Sequence, residues 1–227
     1  MSFDLTPRRL DRSRPLRDQI YPLLRDLILT GTIKPGEVID EKAIALQLNV
    51  SRTPVREAVK RLSDEHLVDV VAQSATRAAP MDRSEIQQSF LIRRALEMES
   101  AAQAATHMRQ EHADRLHEIL ARHERAVERR HFAEAIAQDD AFHHAITEIS
   151  DLPRLWGTIE ISKAQLDRCR HLMVPRAGQA EATLEQHREI IRALNSHDPA
   201  KASAAMKAHL DAAYRSTVAV LDGPGLG

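Results

Sequence analysis

With 227 residues, 43% of them hydrophobic and 29% charged, the chain is long enough for one large domain or two modest ones with packed cores. A single cysteine excludes an intrachain disulfide, no apolar run approaches the roughly 20 residues that span a bilayer, and the N-terminus lacks signal-peptide character, so a cytoplasmic protein is expected. The net charge of −1 says nothing by itself about nucleic acid, and seven glycines with 3% aromatics among many Ala, Leu, Glu and Arg predict a mostly helical fold.

The first ten residues are polar and aperiodic, which predicts a frayed, arginine-bearing arm. From Leu16 the apolar spacing Ile20, Leu23, Leu24, Leu27, Ile28 marks one helix face, with Pro22 expected to bend or restart the helix and Gly31 to cap its end. Pro35-Gly36 marks a turn, and Val38-Ile39 suits a very short strand. Asp40 is a good N-cap for a second helix over EKAIALQLN, and after a tight Asn49-Val50 connection a third helix begins within SRTPVREAVKRL. The Val- and Thr-rich stretch LVDVVAQSATRAAP predicts a small hairpin with Gln73 to Ala75 at its tip. Three helices and a hairpin describe a winged helix-turn-helix over residues 12–80.

In the third helix Ser51 or Thr53 can serve as N-cap, and Pro54 falls in the first turn, where backbone N–H groups have no intrahelical acceptor. At 100° per residue Val55, Ala58, Val59 and Leu62 share one face, while Arg52, Arg56 and Lys60 cluster on the other beside Thr53. Arg56 and Lys60 are like charges at i,i+4, a repulsion that a polyanion relieves. Arginines there can reach guanine edges in the major groove of double-stranded DNA, while Thr53 and Lys60 hold phosphates. A solvated basic face without a ligand is the plainer alternative.

Pro80 and MDRSE form a joint, and residues 84–221 follow with helical period throughout, interrupted by short loops, which predicts an antiparallel bundle of about six helices. The terminal GPGLG is expected to be disordered. All of the 12 histidines except His66 follow residue 80. Three of them sit on apolar stripes, and so does one aspartate: Phe132, Ile136, Asp139, His143, Ile146; then Leu184, His187, Ile191, Leu194; then Met206, His209, Ala213, Val220. Burying a carboxylate there costs several kcal/mol unless it is paired or metal-bound. A divalent ion held by Asp139, His143, His187 and His209 would compensate all four groups, and the N/O donor set suits Zn, Ni or Mn; separately satisfied core histidines are the alternative. His123 also lies on a stripe, after Leu116 and Leu120, and stays unassigned. Cys169 follows Leu155, Ile159 and Leu166 and reads as core.

The stretch LNVSRTPVREAVKRL, with DEKAIA before it and HLV after it, resembles the winged-helix domain of the GntR family of bacterial transcriptional regulators. That resemblance implies DNA contacts from Lys42, Arg52, Thr53, Arg56 and the hairpin tip around Gln73. His66 stands where the family usually has glycine, and the tip AQSAT lacks the glycine often found there. The second domain is similar to the all-helical effector-binding FCD domain of the FadR subfamily, through RRALEMESAA, DDAFHHAI and EQHREIIRALNSHDPAKASAAMKAHL. Members with an Asp and three His at these places bind a metal, which implies that role for Asp139, His143, His187 and His209. Six helices would suggest the VanR-like branch. Asp151 stands where Asn is frequent. Arg93, i,i+4 to Glu97, is either half of an intrahelical ion pair or, as in the family, an arginine near the effector cavity that grips a carboxylate.

The expected function is that of a homodimeric transcriptional regulator, a repressor released from a palindromic operator by a small carboxylate effector at a metal-containing pocket. A metal sensor is one alternative. A metal-dependent enzyme using the Asp/His site is another, disfavoured because no separate general base or nucleotide motif accompanies the site. No membrane partner is expected.

Overall fold

The computed structural model of the chain describes Phe3, Leu5 and residues 10–70, 75–175 and 178–222, the side chains of Leu172 and Val220 excepted. The predicted hairpin tip with Gln73, the GPGLG tail and the inward position of Val220 lie outside the described residues. Contacts divide the chain into two units, Met1–Glu85 and Ile86–Gly227.

The first unit contains α1 (Arg17–Leu29), α2 (Glu41–Gln47), α3 (Arg52–Asp64) and the antiparallel strands β1 (Val68–Val70) and β2 (Thr76–Ala78). α1 runs through Pro22 without the restart that was one of the two expectations there. The proline sits near the helix start and is flanked by Ile20, Leu23, Leu24, Leu27 and Ile28, all buried, so packing holds the helix together across the missing N–H. α1 packs on α3. Asp40 caps α2 as predicted, its carboxylate accepting from the N–H groups of Lys42 and Ala43 at 2.9 and 3.0 Å. Asn49 turns the chain with φ +51°. Ser51 occupies the N-cap of α3 without a side-chain cap bond, and Val55, Ala58, Val59 and Leu62 are its buried face.

The Val38-Ile39 strand is reduced to one bridge, Val38 to Arg77, tied by Ile39 N–H to Thr76 O at 2.8 Å. His66 takes φ +58° at the turn into β1, the left-handed region that glycine enters at no steric cost. Within the segment expected to fray, Phe3 and Leu5 are buried, and the Leu5 N–H donates to Gln47 Oε1 at 2.9 Å.

The second unit is helical among its described residues: α4 (Arg83–His107), which begins just before it, α5 (Gln110–Glu128), α6 (Phe132–Ile149), α7 (Arg154–Ser162), α8 (Ala164–Met173), α9 (Gln179–Asn195) and α10 (Pro199–Leu221). These are seven helices where six were expected, and the helix count therefore does not argue for the VanR-like branch. The extra break falls at Lys163, where no proline or glycine signals it. The Ser162 hydroxyl donates to Ile159 O at 3.0 Å, a back-bond that loosens the i→i+4 ladder. α5 packs on α6 and α9, α9 on α10, and α10 on α8, which surrounds a common core with α6, α9 and α10. Asp198 caps α10, accepting from Ala200 and Lys201 N–H, with Pro199 at the first helical position. Asp151, after α6, has φ +58°, and Asn and Asp are among the side chains that best tolerate that conformation. Among the described residues no helix is long and apolar enough to cross a membrane.

Candidate metal centre and nucleic-acid interface

On the first unit, Lys42 near the start of α2 and Arg52, Thr53, Arg56 and Lys60 on α3 are all exposed, opposite the buried stripe. Arg52 lies 4.0 Å from Glu41, while Lys42, Arg56 and Lys60 have no ion pair among the described residues. α3 is anchored beneath this face: Arg61 stacks on the Tyr21 ring at 3.7 Å, the Tyr21 hydroxyl meets the Glu65 carboxylate, and Arg25 Nε donates to Glu65 at 2.8 Å. The basic residues thus project from a rigid helix whose other side is committed to the core.

In the second unit the four inward polar residues meet. Asp139 and His143 are one turn apart on α6, His187 comes from α9 and His209 from α10, and one ligand atom from each lies within 4.8 Å of the others, all four residues being buried. His143 Nε2 and His209 Nε2 are 3.2 Å apart. His187 Nε2 is 3.4 Å from Asp139 Oδ1, outside hydrogen-bond geometry, and both ring nitrogens of His187 are enclosed without a hydrogen-bond partner. Phe142 stacks on His187 with centroids 4.1 Å apart and fixes its plane.

Groups outside the four orient them. The His209 Nδ1 lies 2.8 Å from Gln186 Oε1. His143 Nδ1 lies against Glu97 Oε2, and the other oxygen of Glu97 accepts from Arg93 Nε at 2.5 Å. Arg170 Nη2 donates to Asp139 Oδ2 at 2.6 Å, and its Nη1 donates to Asp140 and Asp167 at 2.7 and 2.9 Å. Lys163 joins this network through Asp140 at 3.0 Å and Asp167 at 2.8 Å. Asp139 therefore turns one oxygen to a guanidinium and the other to the histidines.

Electrostatics follow from burial and these pairs. Burial alone would raise Asp139, yet Arg170 and the neighbouring imidazoles hold it well below the usual carboxylate range. Glu97 is likewise pushed up by burial and drawn lower still by Arg93 and His143. Burial, reinforced by His143, lowers His209 to about 3, and burial drives His187 well below its ordinary value against the pull of Asp139. Histidines that resist protonation keep the lone pairs a metal needs.

Three buried imidazoles and a carboxylate, with both nitrogens of His187 and Nδ1 of His143 lacking a hydrogen bond, have the donor types and the proximity to hold a divalent cation. An orphaned buried polar group costs about 1–3 kcal/mol, and an ion bound at one ring nitrogen of His187 would satisfy that nitrogen. A cavity adjoins the group and is lined in part by Arg93, His123, Asp139, His209, Thr183 and Tyr214. Of the sequence candidates, Arg93 faces this cavity. His123, unassigned in sequence, is buried on its wall with Nδ1 unpartnered. The Lys163–Asp167–Arg170 network and the contact of Glu97 with His143 were not legible beforehand. The only trace of them is that α8 carries charges where an apolar stripe should run.

The gntR family model of bacterial regulatory proteins matches residues 16–77, and the FCD domain model matches residues 88–212. The chain is 32% identical over 202 residues to the HTH-type transcriptional repressor RspR of Escherichia coli K12, covering 89% of each chain. It is 26% identical over 182 residues to the HTH-type transcriptional regulator McbR of the same organism, covering 79% of this chain and 82% of that one. A solved structure of E. coli McbR/YncC superposes with a TM-score of 0.78 at 22% identity, covering 91% of this chain and 99% of that one. At that identity it speaks for the fold.

Proposed function

The chain belongs to the gntR family of bacterial regulatory proteins and carries an FCD domain, and from that premise we propose that it represses its genes as a homodimer and leaves the operator when a small organic acid binds beside a metal ion. It is a ligand-responsive, DNA-binding transcription regulator. The finer assignments, including membership of the FadR subfamily, are our reading.

At the operator, Arg52 and Arg56 read base edges in the major groove, while Lys42, Thr53 and Lys60 hold phosphates and set the register. The free, exposed cations on a helix packed firmly from behind support this role. Two such heads in a dimer read the halves of a palindrome. Leu91 and Ile92, exposed apolar residues on α4, offer a surface for the second copy. The name of the RspR relative supports repression rather than activation.

The observation that carries the ion site is the convergence of Asp139, His143, His187 and His209 with both His187 nitrogens unpartnered. Zn, Ni or Mn bound there supplies a Lewis-acidic position for a carboxylate oxygen. Arg93 grips the same carboxylate: its Nε is committed to Glu97, and its guanidinium lines the cavity. Charge balance favours an anion. Arg93, Lys163 and Arg170 face four carboxylates, Glu97, Asp139, Asp140 and Asp167, so a divalent ion leaves this network net positive. The acid changes operator affinity only through its different affinity for the two arrangements of the heads.

The test is metal analysis of the purified chain by mass spectrometry, then operator binding measured with and without small carboxylic acids. Near one metal per chain, lost when His187 and His209 are both replaced, and operator release by an acid only in the loaded protein are expected. Full metal occupancy in the double variant would sink the site assignment.

A further inference from the structure

Glu97 touches both His143 of the proposed ion site and Arg93. It is 1% exposed on α4, with Oε1 on Arg93 Nε at 2.5 Å and Oε2 against Nδ1 of His143. An ion pair between exposed residues at i,i+4 on a helix contributes a few tenths of a kcal/mol, but this pair is enclosed, and its carboxylate has a second task. A neutral imidazole carries one proton, on Nδ1 or on Nε2. The charge of a carboxylate against Nδ1 favours the proton there and leaves the Nε2 lone pair for the point shared with His209, 3.2 Å away. The three histidines differ in this respect. His209 faces a neutral amide, Gln186, and among the described residues His187 has no outer partner; His143 Nδ1 and Glu97 Oε2 are in ion-pair contact outside hydrogen-bond geometry, so His143 is the one of the three with an anion behind it.

We propose that Glu97 is the positioning residue of the ion site: it selects the tautomer of His143 that binds through Nε2 and strengthens that nitrogen as a donor, with Arg93 balancing its charge. The proposal rests on the reading of Asp139, His143, His187 and His209 as ion ligands. It also ties the effector arginine to the ion through one carboxylate, since whatever engages Arg93 alters the group that orients His143. Outer partners of this kind are worth 10–100-fold in metal affinity.

The experiment uses the full chain and its Glu97→Gln variant, which keeps the shape and removes the charge. Zinc affinity is measured by competition with a chromophoric chelator, with far-UV circular dichroism as the control for folding. We expect zinc binding at least tenfold weaker in the variant, with the helical spectrum retained. A second measurement needs no variant: nitrogen-15 histidine spectra of the zinc-loaded wild-type chain report which ring nitrogen of His143 carries the proton. Nδ1 protonated with Nε2 on the metal supports the proposal. Metal on Nδ1 overturns it, as does a Glu97→Gln variant of unchanged affinity while the wild type binds zinc. Failure of the wild type to take up zinc overturns the ion-site reading itself and this inference with it, so the two failures are told apart.

Discussion

Replacing His187 by leucine, which has a similar volume, should change stability in opposite directions with and without metal. His187 is fully buried, and neither ring nitrogen has a hydrogen-bond partner. Removing an unsatisfied buried polar ring returns about 1–3 kcal/mol, while losing the stack on Phe142, centroids 4.1 Å apart, costs about 0.5–1.5 kcal/mol. We predict that the chelator-treated variant is more stable than chelator-treated wild type by about 1 kcal/mol, or a few degrees in Tm. With zinc at a hundred times its Kd the wild type gains about 2.7 kcal/mol, and the variant, missing one of four ligands, gains little. The order of the two Tm values therefore reverses between samples with chelator and samples with zinc. Thermal unfolding followed by circular dichroism measures all four states. A chelator-treated variant destabilised by more than about 1 kcal/mol, or one that keeps the zinc response, would refute the view that His187 is strained without an ion.

Three further predictions can be checked in parallel. Arg56→Ala should weaken specific operator binding by about 1–3 kcal/mol, roughly 5- to 150-fold, with unchanged thermal stability because the side chain is exposed and unpaired among the described residues; Lys60→Ala should instead reduce the slope of log affinity against log salt by about one. An Arg56→Ala variant that keeps the wild-type preference for operator over random DNA would dismiss the reading of α3. Asp40→Ala should cost about 1 kcal/mol, measured by urea unfolding, since Asp40 satisfies two N–H groups at the start of α2. The metal-free chain should be sensitive to acid. The unfolded-state histidines take up protons below about 6.5, whereas His209 resists protonation down to about 3 and His187 is also depressed. In that window the unfolded state binds more protons, so stability is full above it and falls as pH drops, by about 1.4 kcal/mol per pH unit for each such histidine. Urea midpoints at pH 7.5, 6.5 and 5.5 that do not differ would contradict this.

Much of the first unit could be read in advance because its signals are local. The stripe of Val55, Ala58, Val59 and Leu62, the cap at Asp40 and the turn at Gly36 each act within a few residues. The departures came from packing: α1 continues past Pro22 because its flanking leucines and isoleucines are buried, and Leu5 docks because its N–H finds Gln47, 42 positions along the chain. In the second unit, helical period sufficed to direct Asp139, His143, His187 and His209 inward, since each stripe is set by spacing on its own helix.

That the four inward residues meet at one place, 44 positions separating His143 from His187 along the sequence, was decided by how α6, α9 and α10 pack. The same holds for Glu97 reaching His143, and for Arg170 reaching Asp139 from an α8 that sequence periodicity merged with α7. Amphipathic period determines which side of a helix is buried, because it depends only on the angle between successive side chains. Which buried polar group meets which is a matter of interaxial packing, and low-dielectric pairing between distant elements leaves no repeat in the sequence to read.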